Sequence, residues 1–314
     1  MAFCVLSLAI LCSPASSEAA DVESGEVYSL AQSVLGDIEL IRIEMGIPRT
    51  SPIPIKVKGV SPWESFHQAK LLYEKTNLLA FEFTRHMAQD IPAHTAANIS
   101  NADTLRILQL AHERVIETKK ALGISESAKA SDAGSVTGDD VFMTLIMADR
   151  IAHQCLRTPV APVLSFQRVT TAVSYASSLL GAFPDPHSVI PSLPPFERGK
   201  IPGDTFIRLS RCQSLIEQIA SKSGVKVMKL DISAVERENI VPSDTQSIAA
   251  MVISELSYLH SLQKQAKPVR QAIDPGRKFP SHVYQRTGIL EAQLSDLLQK
   301  ASKSPRWLEG EFNR

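Results

Sequence analysis

Apolar residues recur every three or four positions along nearly the whole chain. Tyr28, Ala31, Val34, Leu35, Ile38 and Ile41 make one such stripe; Ile248, Val252, Leu256 and Leu259 make another. That spacing lines one face of a 3.6-residue helix, whereas a half-buried strand alternates every second residue. Strand-type alternation occurs in one short run, Val225-Lys226-Val227-Met228-Lys229-Leu230. The pattern predicts an all-α protein.

The predicted helix starts resemble one another. Pro62-Trp63-Glu64-Ser65-Phe66, Pro202-Gly203-Asp204-Thr205-Phe206 and Pro280-Ser281-His282-Val283-Tyr284 each run from Pro through polar and small or β-branched residues to an aromatic. Looser copies stand at Glu26-Val27-Tyr28, Asp103-Thr104-Leu105, Asp140-Val141-Phe142 and Asp244-Thr245-Gln246. Proline and acidic side chains suit a first turn, where the backbone N–H groups lack partners and the dipole favours negative charge. The aromatic then anchors the helix. Stops repeat too: Gly46-Ile47, Gly123-Ile124 and Gly224-Val225 each have the glycine and following apolar residue of a Schellman C-cap.

These starts fall at regular intervals. Within the pairs 26/64, 103/140 and 244/282 the starts are roughly 38 residues apart, and the first pair leads the second by roughly 77. An eighth helix over Phe166 to Leu180, placed to start near Gln167, completes a fourth pair with Asp204. The second half then follows the first at an offset of roughly 141. The expectation is eight helices in four tandem antiparallel pairs. They form either a short α-solenoid or two similar four-helix units related by internal duplication. The corresponding division is a leader at 1–20, one half at 21–157, the other at 158–305 and a tail at 306–314. The roughly 34-residue tetratricopeptide period does not fit.

Within each pair a long connection intervenes, at about Ile47–Ser61, Ile124–Asp139, Gly181–Pro202 and Lys267–Pro280. These exceed the roughly 2–8 residues usual between bundle helices. The Phe183–Pro202 stretch is rich in proline and reads as an extended strap. Stacked pairs would bring all four connections out on one side, the natural place for function on a rigid scaffold.

Composition narrows the partners. Lys+Arg and Asp+Glu both number 33, so the basic excess expected of a nucleic-acid binder is missing. No Gly-rich phosphate loop is found. Phe3 to Cys12 is apolar and uncharged and leads to Ser17-Glu18-Ala19-Ala20, which fits a secretory h-region with cleavage after Ala19, although no Lys or Arg precedes it. The expected location is periplasmic or secreted. No later stretch reaches the length of a membrane span. Loss of the leader leaves Cys155 and Cys212, either a disulfide in an oxidising compartment or two buried small hydrophobes.

Candidate chemistry is sparse. Basic residues precede three second helices: Lys56 and Lys58, Arg198 and Lys200, Arg277 and Lys278. Converging with helix N-termini, Lys58, Arg198, Lys200, Arg277 and Lys278 would hold an anion or an acidic partner; otherwise they are solvated turns. The eight histidines include no H-E-x-x-H and no i,i+4 pair, so neither a metal nor another cofactor is expected. Asp37, Glu39 and Glu44 read as an ion-laced solvent face. Trp63 and Trp307 read as packing anchors. With no nucleophile motif, the sequence supports an exported, non-catalytic interaction or scaffold protein that binds a protein or small ligand through its long connections. A periplasmic ligand-binding sensory or accessory component, and an enzyme with a site built from scattered residues, are the alternatives.

Overall fold

The computed structural model describes residues 22–91, 99–128, 134–157, 161–184, 190–269 and 276–312. The leader expected at 1–20 lies outside them. Within the described residues the chain is all-α. Its helices are α1 Ser24–Glu44, α2 Pro62–Thr84, α3 Asn101–Leu122, α4 Gly138–Cys155, α5 Pro162–Leu180, α6 Pro202–Lys222, α7 Pro242–Leu262 and α8 Pro280–Lys303. Two short strands, β1 Lys56–Lys58 and β2 Lys229–Asp231, pair antiparallel, with Val57 opposite Leu230. β2 grows out of the one alternating run in the sequence. Helix α5 starts at Pro162 rather than near Gln167, because proline at its first turn sets the start ahead of the first aromatic.

The local rules read from the sequence operate as expected. The backbone N–H groups of Ser61, Ser100, Thr137, Ile201 and Val241 each donate at 2.9 Å to the carboxylate three residues on: Glu64, Asp103, Asp140, Asp204 and Asp244. At α8 the acceptor is His282 Nδ1, 3.1 Å from Phe279 N. This is the backbone half of a capping box, and it satisfies one orphan donor per helix. Gly46, Gly123 and Gly224 take positive φ, and the N–H groups of Ile47, Ile124 and Val225 reach back to Arg42, Lys119 and Ala220 oxygens at 2.9–3.0 Å.

The helices form two four-helix units. In the first, α1 and α2 each pack on both α3 and α4; in the second, α5 and α6 each pack on both α7 and α8. Consecutive helices of a sequence pair therefore stand diagonally across their unit. They also run in the same direction, where antiparallel pairs were expected. Thr104 Oγ1 at the start of α3 donates to Pro62 O at the start of α2, and Asn101 Nδ2 donates to Val22 O just before α1. Val60 N, just before α2, donates to Asp139 Oδ1 at the start of α4. The second unit repeats this: Thr245 Oγ1 donates to Pro202 O, and Lys200 N to Ser281 Oγ. The connections make it possible. A helix the length of α1 rises about 32 Å, and extended chain covers about 3.3 Å per residue, so roughly ten residues suffice to return. The long segments are return paths along the bundle and do not emerge together on one side. Gly138 accommodates one of them, since a Cβ there would come within 2.6 Å of Val60 O.

Each unit has its own core. Val34, Ile38, Phe66, Leu72, Leu108 and Leu145 lie in the first; Leu179, Phe206, Leu209, Leu256, Leu290 and Trp307 lie in the second. The units run antiparallel to each other, with α7 packed against α2 and α4. Trp63 at the start of α2 donates its Nε1 to Ser254 O late in α7, while Arg150 late in α4 reaches Asp244 at the start of α7. No described helix is long and apolar enough to cross a membrane.

The tail is part of the second core. Trp307 is 0% exposed, stacks on Phe183 with centroids 5.5 Å apart, and donates Nε1 to Ser223 Oγ at 2.7 Å. Trp307→Ala should cost about 3–5 kcal/mol, the range for emptying a large buried aromatic site. Urea unfolding measures it, and a loss below about 1 kcal/mol would mean that the tail is not core.

Candidate functional site

Two regions carry chemistry: the seam between the units and the N-terminal end of the second unit. The seam is polar because α7 is buried on nearly every side, including Ser243, Asp244, Gln246, Ser247, Ser254 and Glu255. Lys75 of α2 forms a buried ion pair with Asp149 of α4, and Ser247 Oγ donates to the same carboxylate oxygen at 3.2 Å. Burial pushes the Lys75 ammonium down and the Asp149 carboxyl up from their ordinary ranges, and their mutual attraction opposes both shifts. Arg150 pairs with Asp244 at 2.6 Å. The neighbouring His153 imidazole is driven down to about 4 by burial and then by Lys75 and Arg150, so it is neutral at physiological pH.

One turn into α2, Glu64 faces Glu255 of α7. Glu255 Oε1 accepts from Met228 N at 3.1 Å and Gln213 Nε2 at 3.5 Å, and its Oε2 has no donor. Burial, then the charge of Glu64, raises Glu255 well above the ordinary carboxylate range. Burial and the neighbouring charge both favour the protonated form of Glu255.

A cleft of about 960 Å³ opens beside this seam between α2, α5 and α7. Trp63, Phe66 and Tyr175 supply rings, and Arg168 of α5 bridges to Glu74 of α2 at its edge.

The second region gathers most of the predicted anion-binding residues. Lys200 N reaches Ser281 Oγ at 3.3 Å, which draws the Pro-rich connection that carries Arg198 and Lys200 onto the start of α8, the helix that Arg277 and Lys278 precede. Lys200 lies 4.3 Å from the Tyr284 ring centroid, Arg277 5.2 Å from Phe279 and Lys278 5.0 Å from Phe166. Arg286, missed in the sequence, joins over Phe166 at 5.9 Å, half-buried and with its Nε unpaired. Burial lowers its guanidinium from the ordinary value. Lys200 pairs with Glu197; Arg198, Arg277, Lys278 and Arg286 have no carboxylate partner among the described residues. Phe196 (46% exposed) lies against His282, Phe279 (51%) under Arg277, and Leu193 (64%) is exposed on the same Pro-rich connection. Lys58 is not part of the group. It sits in β1 opposite Lys229, which follows α6 and so marks the other end of the second unit.

Other sequence candidates resolve differently. Cys155 and Cys212 are free thiols, one in each core, so they form no disulfide. Burial pushes both thiols up, Cys155 to about 12. Asp37 does not belong to a solvent face: it is 3% exposed, accepts from Lys119 Nζ at 2.6 Å and Ala128 N at 3.0 Å, and lies 3.0 Å from His112. Burial raises its carboxyl, but these three partners together hold it below the ordinary value.

Two outcomes test the seam. Lys75→Met should cost about 3–5 kcal/mol by stranding the Asp149 carboxylate, and the double change with Asp149→Leu should restore most of it. Additive losses in urea unfolding would refute the pairing. For Glu255, a raised folded-state value means that its stabilising contribution is complete below the ordinary carboxylate pKa and declines as pH rises through the folded value. Glu255→Gln should therefore flatten the loss of stability as pH rises above the ordinary carboxylate range. Parallel pH profiles for the two proteins would contradict a raised Glu255 carboxyl.

Comparison with known proteins adds no relative: no family model matches the chain, and neither does any curated protein or solved structure.

Proposed function

We propose that the chain is an exported, non-catalytic interaction protein that docks an acidic, aliphatic-rich segment of a protein partner on the N-terminal end of its second unit. One observation carries the reading. In the first unit every helix has a carboxylate in its first turn: Glu26, Glu64, Asp103 and the Asp139–Asp140 pair. In the second, α6 and α7 keep theirs, but the adjacent α5 and α8 have none. Positive helix ends are thus left uncompensated where Arg198, Arg277, Lys278 and Arg286 add full positive charge. Each such terminus favours an anion by about 0.3–1 kcal/mol.

The apolar surface beside the cations sets the partner's character. Leu193, Phe196 and Phe279 offer contact area that a free phosphate or single carboxylate would leave unused, whereas alternating acidic and aliphatic residues use both. Export rests on the uncharged apolar run at residues 3–12, and a periplasmic or secreted setting follows from it.

Fluorescence anisotropy with a labelled peptide of alternating Glu and Leu provides the test. Binding should weaken with salt, and the Arg277→Glu/Lys278→Glu double variant should weaken it at least tenfold, about 1.4 kcal/mol. Equal affinity for the Gln-for-Glu peptide would overturn the reading, as would tighter association with anionic phospholipid vesicles than with the peptide.

A further inference from the structure

We propose that the cleft between the two units is a binding site for a small, planar apolar molecule bearing a single carboxylate or comparable anion. The cleft is open on one side and has a volume of about 960 Å³, within the range of small-molecule sites. Its walls come from α2, α5 and α7, so the site exists only where the two units meet. It is separate from the cationic end described above, and its argument is independent of that reading.

The rings are held before any ligand arrives. The Trp63 indole is fixed by its Nε1 hydrogen bond to Ser254 O and lies tilted against Tyr258, centroids 5.8 Å apart. Tyr175 meets His260 edge-on at 5.4 Å and 80°. His260 Nε2 in turn lies 3.1 Å from Ser178 Oγ and 2.9 Å from Lys267 O, which fixes that ring as well. Anchored rings in the lining favour an aromatic guest, because contact with them then costs the protein little ordering entropy.

The polar groups decide the sign of the guest's charge. Arg168 spends one guanidinium nitrogen on Glu74, while its buried Nε has no partner. Lys70 stands one turn before Glu74 on α2 and has no ion pair among the described residues. The Tyr175 hydroxyl likewise has no hydrogen-bond partner among them, and burial raises it above the ordinary range, so it stays a donor. Against these three donors stands one carboxylate not engaged by Arg168, Asp90, and it is exposed at the rim where water screens it. Inside the cleft, Lys70, the Tyr175 hydroxyl and Arg168 Nε are donors without a partner among the described residues. A ligand without an acceptor group would leave these donors unused, whereas an anion on an apolar body satisfies both walls and donors.

Isothermal titration of the full chain with 2-naphthoate, and with its neutral isostere naphthalene-2-carboxamide, tests this. The acid should bind one-to-one and at least tenfold more tightly than the amide. Lys70→Met and Tyr175→Phe, both at half-buried positions compatible with folding, should each weaken the acid several-fold and leave the amide unchanged. Melting temperatures of the variants check that they remain folded. Lys278→Glu, at the cationic end, should leave naphthoate affinity unchanged. Equal affinity for acid and amide would overturn the proposal. So would acid binding that survives both cleft variants, or that is lost with Lys278→Glu.

Discussion

Running four helices in one direction imposes two costs. The aligned dipoles repel one another side by side, and each connection must travel the length of the bundle before the next helix begins. The architecture answers both. A carboxylate in the first turn neutralises an N-terminal end while accepting an orphan N–H, so one residue type serves dipole and hydrogen bond together. The long connections read most easily as loops, but they are return paths, and one carries the β1 strand that ties it to a connection of the other unit. Everything at the ends of the units follows from this arrangement, including the concentration of charge there.

The seam follows a different logic. Helix α7 belongs to the second core on one face and meets α2 and α4 on another, so residues that would be solvent-facing in an isolated four-helix unit are buried. Their polarity survives because partners arrive from the other unit, Asp149 for Ser247 and Arg150 for Asp244, or from the same unit, Met228 N and Gln213 for Glu255. Buried ion pairs of this kind add little net stability over apolar packing, but each strongly disfavours a seam that is shifted or half-formed. They fix the register between the units more than they hold them together.

Much of the fold was legible because it rests on local rules. Proline and acid at N-termini, glycine at C-termini and the 3.6-residue stripe each act within one turn of helix, and the sequence displays them directly. Direction and neighbourhood were not legible, because nothing in a helix's own residues says which way its neighbour runs; that information lay in connection length, and those lengths suited a surface loop equally well. The buried charges were hidden for a related reason. Lys75 stands in the run Leu71-Leu72-Tyr73-Glu74-Lys75 like any lysine that reaches water, and Asp37 reads as one acid among several. Only the third dimension supplies Asp149 and Lys119. At the cationic end the sequence offered Arg198, Lys200, Arg277 and Lys278 but also Lys58, because all five precede second helices. The strand pairing carries Lys58 away, and the stripe of α8 brings Arg286 in.

The difference between the two units bears most directly on function. Where both obey one rule, folding alone explains it: a carboxylate at the start of a helix is what any parallel bundle needs. A departure in one unit only cannot be explained that way, since the other shows that the fold accommodates the acid. At α8 the place filled by Asp140 in α4 is taken by His282, which keeps the cap hydrogen bond and gives up the fixed negative charge. The capping role and the electrostatic role of one position are thereby separated, and only the first is retained. Lysine and arginine placed beside that terminus increase the imbalance instead of relieving it, and exposed Phe196 and Phe279 surround it with apolar surface. Local rules are most informative where they fail selectively, because a stability cost accepted at one end and avoided at its counterpart is the point at which the proposed docking surface departs from what folding alone requires.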